Sequence, residues 1–343
     1  MKKLLNTLYI TSPNRYLSLD GENVVILEKE QPIGRVPLHN LQSIVTFGYT
    51  GASPALMGAC AQRNIDLVFL SGNGRFLTRI VGEVYGNVTL RKEQFRRSDS
   101  DEARIRIARN CIMGKVYNAR WVLERAARDY AMRLDVEKFK SKSAFLKESL
   151  TKIRNCENAD TLRGLEGEAA SVYFSVFDDM ILQQKEYFKF EGRNRRPPTD
   201  AVNAMLSFAY ILLTSMCANA LNTVGLDPYV GFFHTDRPGR KSLALDMVEE
   251  LRSVMADRFV LTLINRKVVH QDGFLQKENG AVVMDEETRK IFLTHWQSKK
   301  QETIKHPFLD EKVEWGMVPY VQAMLLARYL REDLDEYPPF FWK

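Results

Sequence analysis

Cysteine is scarce. Cys60, Cys111, Cys156 and Cys217 are the four in 343 residues, none in a CxxC pair and each among apolar neighbours. That pattern excludes a disulfide framework and a cysteine-based zinc site, and it fits buried free thiols in a reducing cytoplasm. No internal repeat and no low-complexity segment occurs. No Ser-His-Asp or Cys-His set offers a protein nucleophile. The start, MKKLLNTLYITSPNRYLSL, shares two lysines with a signal peptide, but its apolar stretch is short and is broken by Asn6 and Thr7. Charge is missing from Ala201 to Leu226. A membrane span needs about 20 mainly apolar residues. Here Asn203, Ser207, Thr214, Ser215, Asn219 and Asn222 interrupt the run, so a helix buried on all sides in a helical domain is expected, with no membrane contact.

What is present is ordinary in bulk: 45% hydrophobic, 27% charged, net charge +6. The length favours about two domains. The charge permits a polyanionic partner without requiring one. Residues 1–95 alternate apolar and polar residues between Gly, Pro and Asn punctuation, with a tight turn at Asp20-Gly21 and a short helix at SPALMGACAQRNI. The charged stretch around 96–104 reads as a linker. From 105 to 343 the spacing is helical, with Val318–Glu332 the last long helix, a hairpin at Asn279-Gly280, and a non-helical end, EYPPFFWK. The fold class expected is α+β: a small β-rich N-terminal domain, then a larger, mostly α-helical domain.

Three stretches could carry chemistry. In LRGLEGEAASVYFSVFDDMI, Gly164 and Gly167 loosen the start; Ala170, Tyr173 and Phe177 then follow Glu166 at +4, +7 and +11, on its helix face. Glu168 points about 200° away. A carboxylate heading a buried stripe must be paired or bound to a cation; a helix-start glutamate stabilised by the dipole or by Arg163 is the alternative. In YVGFFHTDRPGRKSLALDMVEELR, Ser242 reads as an N-cap. Asp246, Glu249 and Glu250 lie within roughly 100° of one another on the helix after it. They follow a loop with His234, Arg237, Arg240 and Lys241. A solvated acidic face is one reading. An imidazole with carboxylate oxygens, a set suited to Mn²⁺ or Mg²⁺, is the other. His39, His270, His295 and His306 have no such acids beside them and read as packed. In FEGRNRRPPTDAVNAMLSFAYILL, Arg193, Arg195 and Arg196 precede Pro197-Pro198, and Thr199 or Asp200 caps the uncharged helix. Guanidinium groups in a stiff loop suit phosphate, or are simply solvated.

RGLEGEAASVYF, RRPPTDAVNAMLSFAY and GFFHTDRPGRKSLALDMVEELR, in that order, resemble the larger integrase subunit of CRISPR spacer acquisition, the CRISPR-associated protein one family. The resemblance covers nearly the whole chain, and the compact length and PPFFW ending look most like the subtype I-C branch. It implies an enzyme on double-stranded DNA that binds Mg²⁺ or Mn²⁺ through a Glu, a His and an acid. These match Glu166, His234 and an acid in LALDMVEE. Glu249, with the longer arm and less local compensation, is taken as the direct ligand. Asp246, nearer the helix start, assists as a second-sphere or alternative ligand, and Glu250 is taken as solvated. The resemblance further implies a homodimer through the N-terminal domain and a complex with the small CRISPR-associated protein two, holding a prespacer whose 3′-OH is joined to the CRISPR repeat. Arg193, Arg195, Arg196, Arg237, Arg240, Lys241, Tyr173 and Tyr210 are the candidates for contact with DNA. A metal-dependent nuclease or junction resolvase, and a non-catalytic DNA scaffold, are the competing readings.

Overall fold

The structure, a computed structural model, describes residues 6–48, 51–72, 74, 76–82, 88–194 and 196–342. Strands β1 (Thr7–Ile10), β2 (Arg15–Asp20), β3 (Asn23–Glu28), β4 (Gln31–Pro37) and β5 (Ser43–Phe47) come first, then α1 (Pro54–Gln62), β6 (Asp66–Leu70) and β7 (Phe76–Ile80). β2, β3 and β4 form an antiparallel meander. Its first turn places Gly21 at φ +56°, so glycine fits there and other residues are strained. The second sheet has the order β1-β5-β6-β7, with β1, β5 and β6 parallel and β7 antiparallel.

The period of two along β5 and β6 decides how this sheet is buried. Ile44, Leu67 and Phe69 face a core shared with α1 and the meander. Val45, Phe47, Val68 and Leu70 face the opposite way, into the main helical core. The sheet is therefore one wall of the helical part rather than a separate body.

Helices follow: α2 (Val88–Asp99), α3 (Asp101–Asp129), α4 (Val136–Arg154), α5 (Ala159–Phe174), α6 (Ala201–Val224), α7 (Ser242–Leu251) and α8 (Arg258–Asn265). A hairpin of β8 (Phe274–Gln276) and β9 (Val282–Met284) precedes α9 (Glu286–Gln301). A small ladder of β10 (Thr303–Lys305) and β11 (Lys312–Glu314) precedes α10 (Val318–Leu330). The β-rich start and helical remainder are as the sequence predicts. The expected linker is not: residues 96–104 are helical apart from Ser100, whose hydroxyl accepts from the N–H of Ala103 and starts α3. The charges that read as a linker are side-chain pairs along the helices, Glu93–Arg97 and Glu102–Arg106.

α6 carries no charge because it has almost no solvent face. Met205, Leu206, Leu213, Cys217 and Leu221 are all buried. It is long and apolar enough to cross a membrane, but most of it lies inside the fold. Asp200, not Thr199, caps it, accepting from the N–H of Asn203 at 2.7 Å. All four cysteines are buried free thiols. The C-terminal tail is non-helical, as expected, and it packs Tyr337, Phe340 and Trp342 into the core.

Candidate metal centre

α3, α5, α7 and the loop before α7 meet at one point. Asn158 caps α5 through its side chain, so the helix begins six residues before Leu165, and Gly164 and Gly167 lie within it. Glu166 is on its half-buried face and Glu168 is exposed. α7 has no side-chain cap: Ser242 is its first residue and its hydroxyl donates to the carbonyl of Thr235. Nor is its acidic side solvated. Asp246, Glu249 and Glu250 are all buried.

Each of the three acids has a different task. Asp246 holds the His234 loop. Its Oδ2 accepts the backbone N–H groups of Phe232 and Phe233 at 2.6 and 3.0 Å. Its Oδ1 accepts the backbone N–H of His234 at 2.9 Å and lies 2.7 Å from that ring's Nδ1. A carboxylate oxygen only accepts, so Nδ1 carries a hydrogen, and in the neutral ring Nε2 presents its lone pair. Gly231 lets the loop lie this close: a Cβ there would meet Ser242 Cβ at 2.7 Å and Asp246 Oδ2 at 3.0 Å.

Glu249 reaches the other way. Its Oε1 is 3.9 Å from His234 Nε2 and 2.9 Å from Arg252. Its Oε2 is 2.7 Å from Lys115 Nζ, and the same ammonium pairs with Glu166 Oε1. Burial alone would raise the Glu249 carboxyl, but Arg252, Lys115 and His234 together hold it down at about 2. Arg252 opens a π-helical turn, Arg252–Asp257, between α7 and α8. Its guanidinium also lies over the ring of Tyr210 at 4.8 Å, and the Tyr210 hydroxyl donates to Asp257 at 2.5 Å.

Glu250 is the correction to the expected solvated acid. It accepts from the Tyr337 hydroxyl at 2.6 Å, the Phe340 N–H at 2.7 Å and Gln322 at 3.0 Å. Burial pushes its carboxyl up to about 7, these hydrogen bonds only partly offsetting it.

The donor set suits a hard divalent cation: carboxylate oxygens on two helices, one correctly presented imidazole nitrogen, and a cation already between the acids. Glu249 Oε2 is buried and, among the described residues, has no hydrogen bond beyond the Lys115 ion pair. As placed, no three His, Cys, Asp or Glu side chains among the described residues converge closely enough to hold a metal. The Lys115 ammonium lies between Glu166 and Glu249.

The candidates for contact with DNA divide. Arg196 and Arg237 are exposed, Arg240 is half-buried and Arg195 lies outside the described residues. Arg193 is turned inward, bonded to Asn203 and Ser207 and lying over the Tyr210 ring. Lys241 lies over the Phe76 ring at 4.0 Å, and burial, with Arg79 adding to it, brings its ammonium down to about 8. Tyr173 is in the core and Tyr210 is held by Asp257, so neither ring presents a stacking surface. The sequence alone does not single out Lys115, Arg252 and Asp257. The signal it offers is a lone lysine inside the apolar run CIMGKV, and an arginine three residues after Glu249.

A β-rich unit sharing its core with a helical unit is the framework of a class of CRISPR-associated proteins. The chain belongs to the family described as CRISPR associated protein Cas1, which it matches over residues 8–298. It is 48% identical over 343 residues to CRISPR-associated endonuclease Cas1 1 of Chlorobaculum tepidum, covering 100% of both chains. In structure it is similar to a casposase bound to integration product, at TM-score 0.85 and 23% identity, over 98% of this chain and 94% of that one. It is also similar to part of a Cas6-RT-Cas1–Cas2 complex, at TM-score 0.84 and 20% identity, over 100% of this chain and 36% of that one. At such identities the two structures show likeness of fold alone.

Proposed function

We propose that this chain is a CRISPR adaptation integrase, active as a homodimer in the cytoplasm and, in sequence type, closest to subtype I-C. Its substrates are double-stranded DNA: a prespacer with free 3′-OH ends, and the CRISPR repeat. The observation that carries the reading is the pair Glu166 and Glu249 sharing one cation beside the Asp246-held Nε2 of His234. Glu166, His234 and Glu249 are the residues that would hold Mg²⁺ or Mn²⁺. Bound there, the ion supplies a lowered hydroxyl pKa and charge neutralisation at the phosphate.

The chain's own residues do the rest. Asp246 fixes the ring and its tautomer. Arg252 keeps Glu249 ionised in a buried place. Arg237 and Arg240 flank the histidine loop with positive charge for the non-bridging phosphate oxygens. The 3′-OH attacks phosphorus as another P–O bond breaks, so bond energy is conserved and no ATP is needed. The Cas1–Cas2 assembly among the structural neighbours supports a small partner subunit of that kind.

A second reading, endonuclease without joining, is favoured by the name of the curated relative. Water would then replace the 3′-OH at the same site. Incubation of the purified protein with Mn²⁺, labelled prespacer and repeat DNA separates the two. Strand-joined products are expected. Shortened DNA alone would support the nuclease, and unchanged activity in Glu166→Gln and His234→Ala would end the metal-site reading.

A further inference from the structure

We propose that Lys115 is an internal counter-ion that competes with the divalent cation for Glu166 and Glu249, and so sets the metal affinity of the site; this rests on the metal-site reading above. Among the described residues, Lys115 is the cation paired with both acids. The acids come from different helices, α5 and α7, and the lysine from a third, α3. Glu249 and Lys115 are largely buried, with side chains 4% and 12% exposed. Two carboxylates in so dry a place repel without positive charge between them. The ammonium supplies that charge.

The two oxygens it takes are also those a metal would need. Glu249 Oε1 is held by Arg252, whereas Oε2 has the Lys115 ion pair as its contact. Oε2 is therefore the oxygen that can change partner without loss of the arginine contact. An ammonium and a divalent ion cannot share this point, so entry of the ion requires Lys115 to leave. A lysine suits that exchange: it is a point charge on a flexible stem. An arginine would bind the two carboxylates with a planar, multi-donor fork and would be harder to displace.

The reading predicts an ordered series. Neutralising the lysine removes the charge shared by the two acids and leaves Glu249 with Arg252 alone, so the site should fold less stably but take the cation more readily. Direct titration of Mn²⁺ into the full chain, following free Mn²⁺ by electron paramagnetic resonance, gives the affinity without any reaction. K115M should bind at least tenfold tighter than the wild type, and K115R no tighter than it. K115M should also melt at lower temperature in chelator and gain more from added Mn²⁺. Should K115M fail to fold, K115Q replaces it with the same expectation. Equal or weaker Mn²⁺ binding by the neutral variant overturns the counter-ion role while the metal site stands. Wild type that binds no more Mn²⁺ than E166Q overturns the site reading, and this inference with it.

Discussion

Glu249 and Glu250 are neighbours in sequence, both buried, and driven in opposite directions. Arg252, Lys115 and His234 outweigh burial at Glu249 and hold it at about 2, whereas burial prevails at Glu250 and raises it to about 7. Asp257 is also raised, to about 6, by burial that the Tyr210 hydroxyl and Arg252 only partly offset. The signs follow from linkage. Between 4.5 and about 7 the folded chain keeps a proton on Glu250 that the unfolded chain has lost, so stability falls as pH rises through that window. Asp257 acts the same way between 3.8 and about 6. Glu249 acts in reverse: its contribution is present above 4.5 and is lost as pH falls towards 2. Glu250→Gln should therefore gain stability relative to wild type as pH rises from 4.5 to 7.5, by on the order of 3 kcal/mol. Urea unfolding at stepped pH reads this, and a parallel pH profile for both proteins would refute it. At Asp246, Asn offers one oxygen where four donors converge. Asp246→Asn should cost about 2 kcal/mol of stability and weaken Mn²⁺ binding by about 10–100-fold, read by urea unfolding and metal titration. The helical spacing alone gathers the three acids on one side. It does not tell which is solvated, because the cover over Glu250 comes from Tyr337 and Phe340, some 90 residues away.

The elements around the site are legible where pattern is strong. The uncharged run is α6, and the Glu166 stripe lies on α5 as far as Tyr173, with Phe177 past the end of the helix. The helices at 88–129 are harder to read, because their charges look like a solvent-facing linker instead of side-chain pairs along a helix. The Ser100 cap, followed by Asp101 and Glu102, is the local signal for them. The loop before α7 depends on close approach at Gly231, which no local sequence rule announces. Gly231→Ala must push the loop from Ser242 and Asp246, since the added Cβ falls 2.7–3.0 Å from their atoms and from the Ser242 backbone. The expected cost is about 1–3 kcal/mol, together with a loss of Mn²⁺ affinity as His234 moves. Both are measurable on one purified variant, and unaltered metal binding would show that the loop position does not set the imidazole.

At the scale of the whole molecule, the β-rich unit is fastened to the helical unit by shared core. Phe47 meets Phe208, Lys241 lies over Phe76 and the Lys300 ammonium donates to Thr7. The alternation of β5 and β6 implies two buried faces, but not what covers the second. Positive charge left free for DNA is then smaller than composition suggests: Arg193 and Lys241 are engaged within the protein, whereas Arg196 and Arg237 are exposed. Neutralising Arg196 and Arg237 together should weaken DNA binding regardless of sequence. It should also flatten the salt dependence by about 0.9 log unit for each phosphate that is no longer neutralised. An unchanged slope in a fluorescence titration across salt concentrations would remove both from the interface.

The central claim is that Glu166, His234 and Glu249 form one divalent-cation site. The most direct measurement is anomalous diffraction from crystals of the protein soaked in Mn²⁺. The account predicts a single strong peak bounded by Glu166, Glu249 and the Nε2 of His234, with Lys115 moved off the carboxylates. Absence of a peak there at saturating Mn²⁺, with Lys115 still paired to both acids, would contradict it.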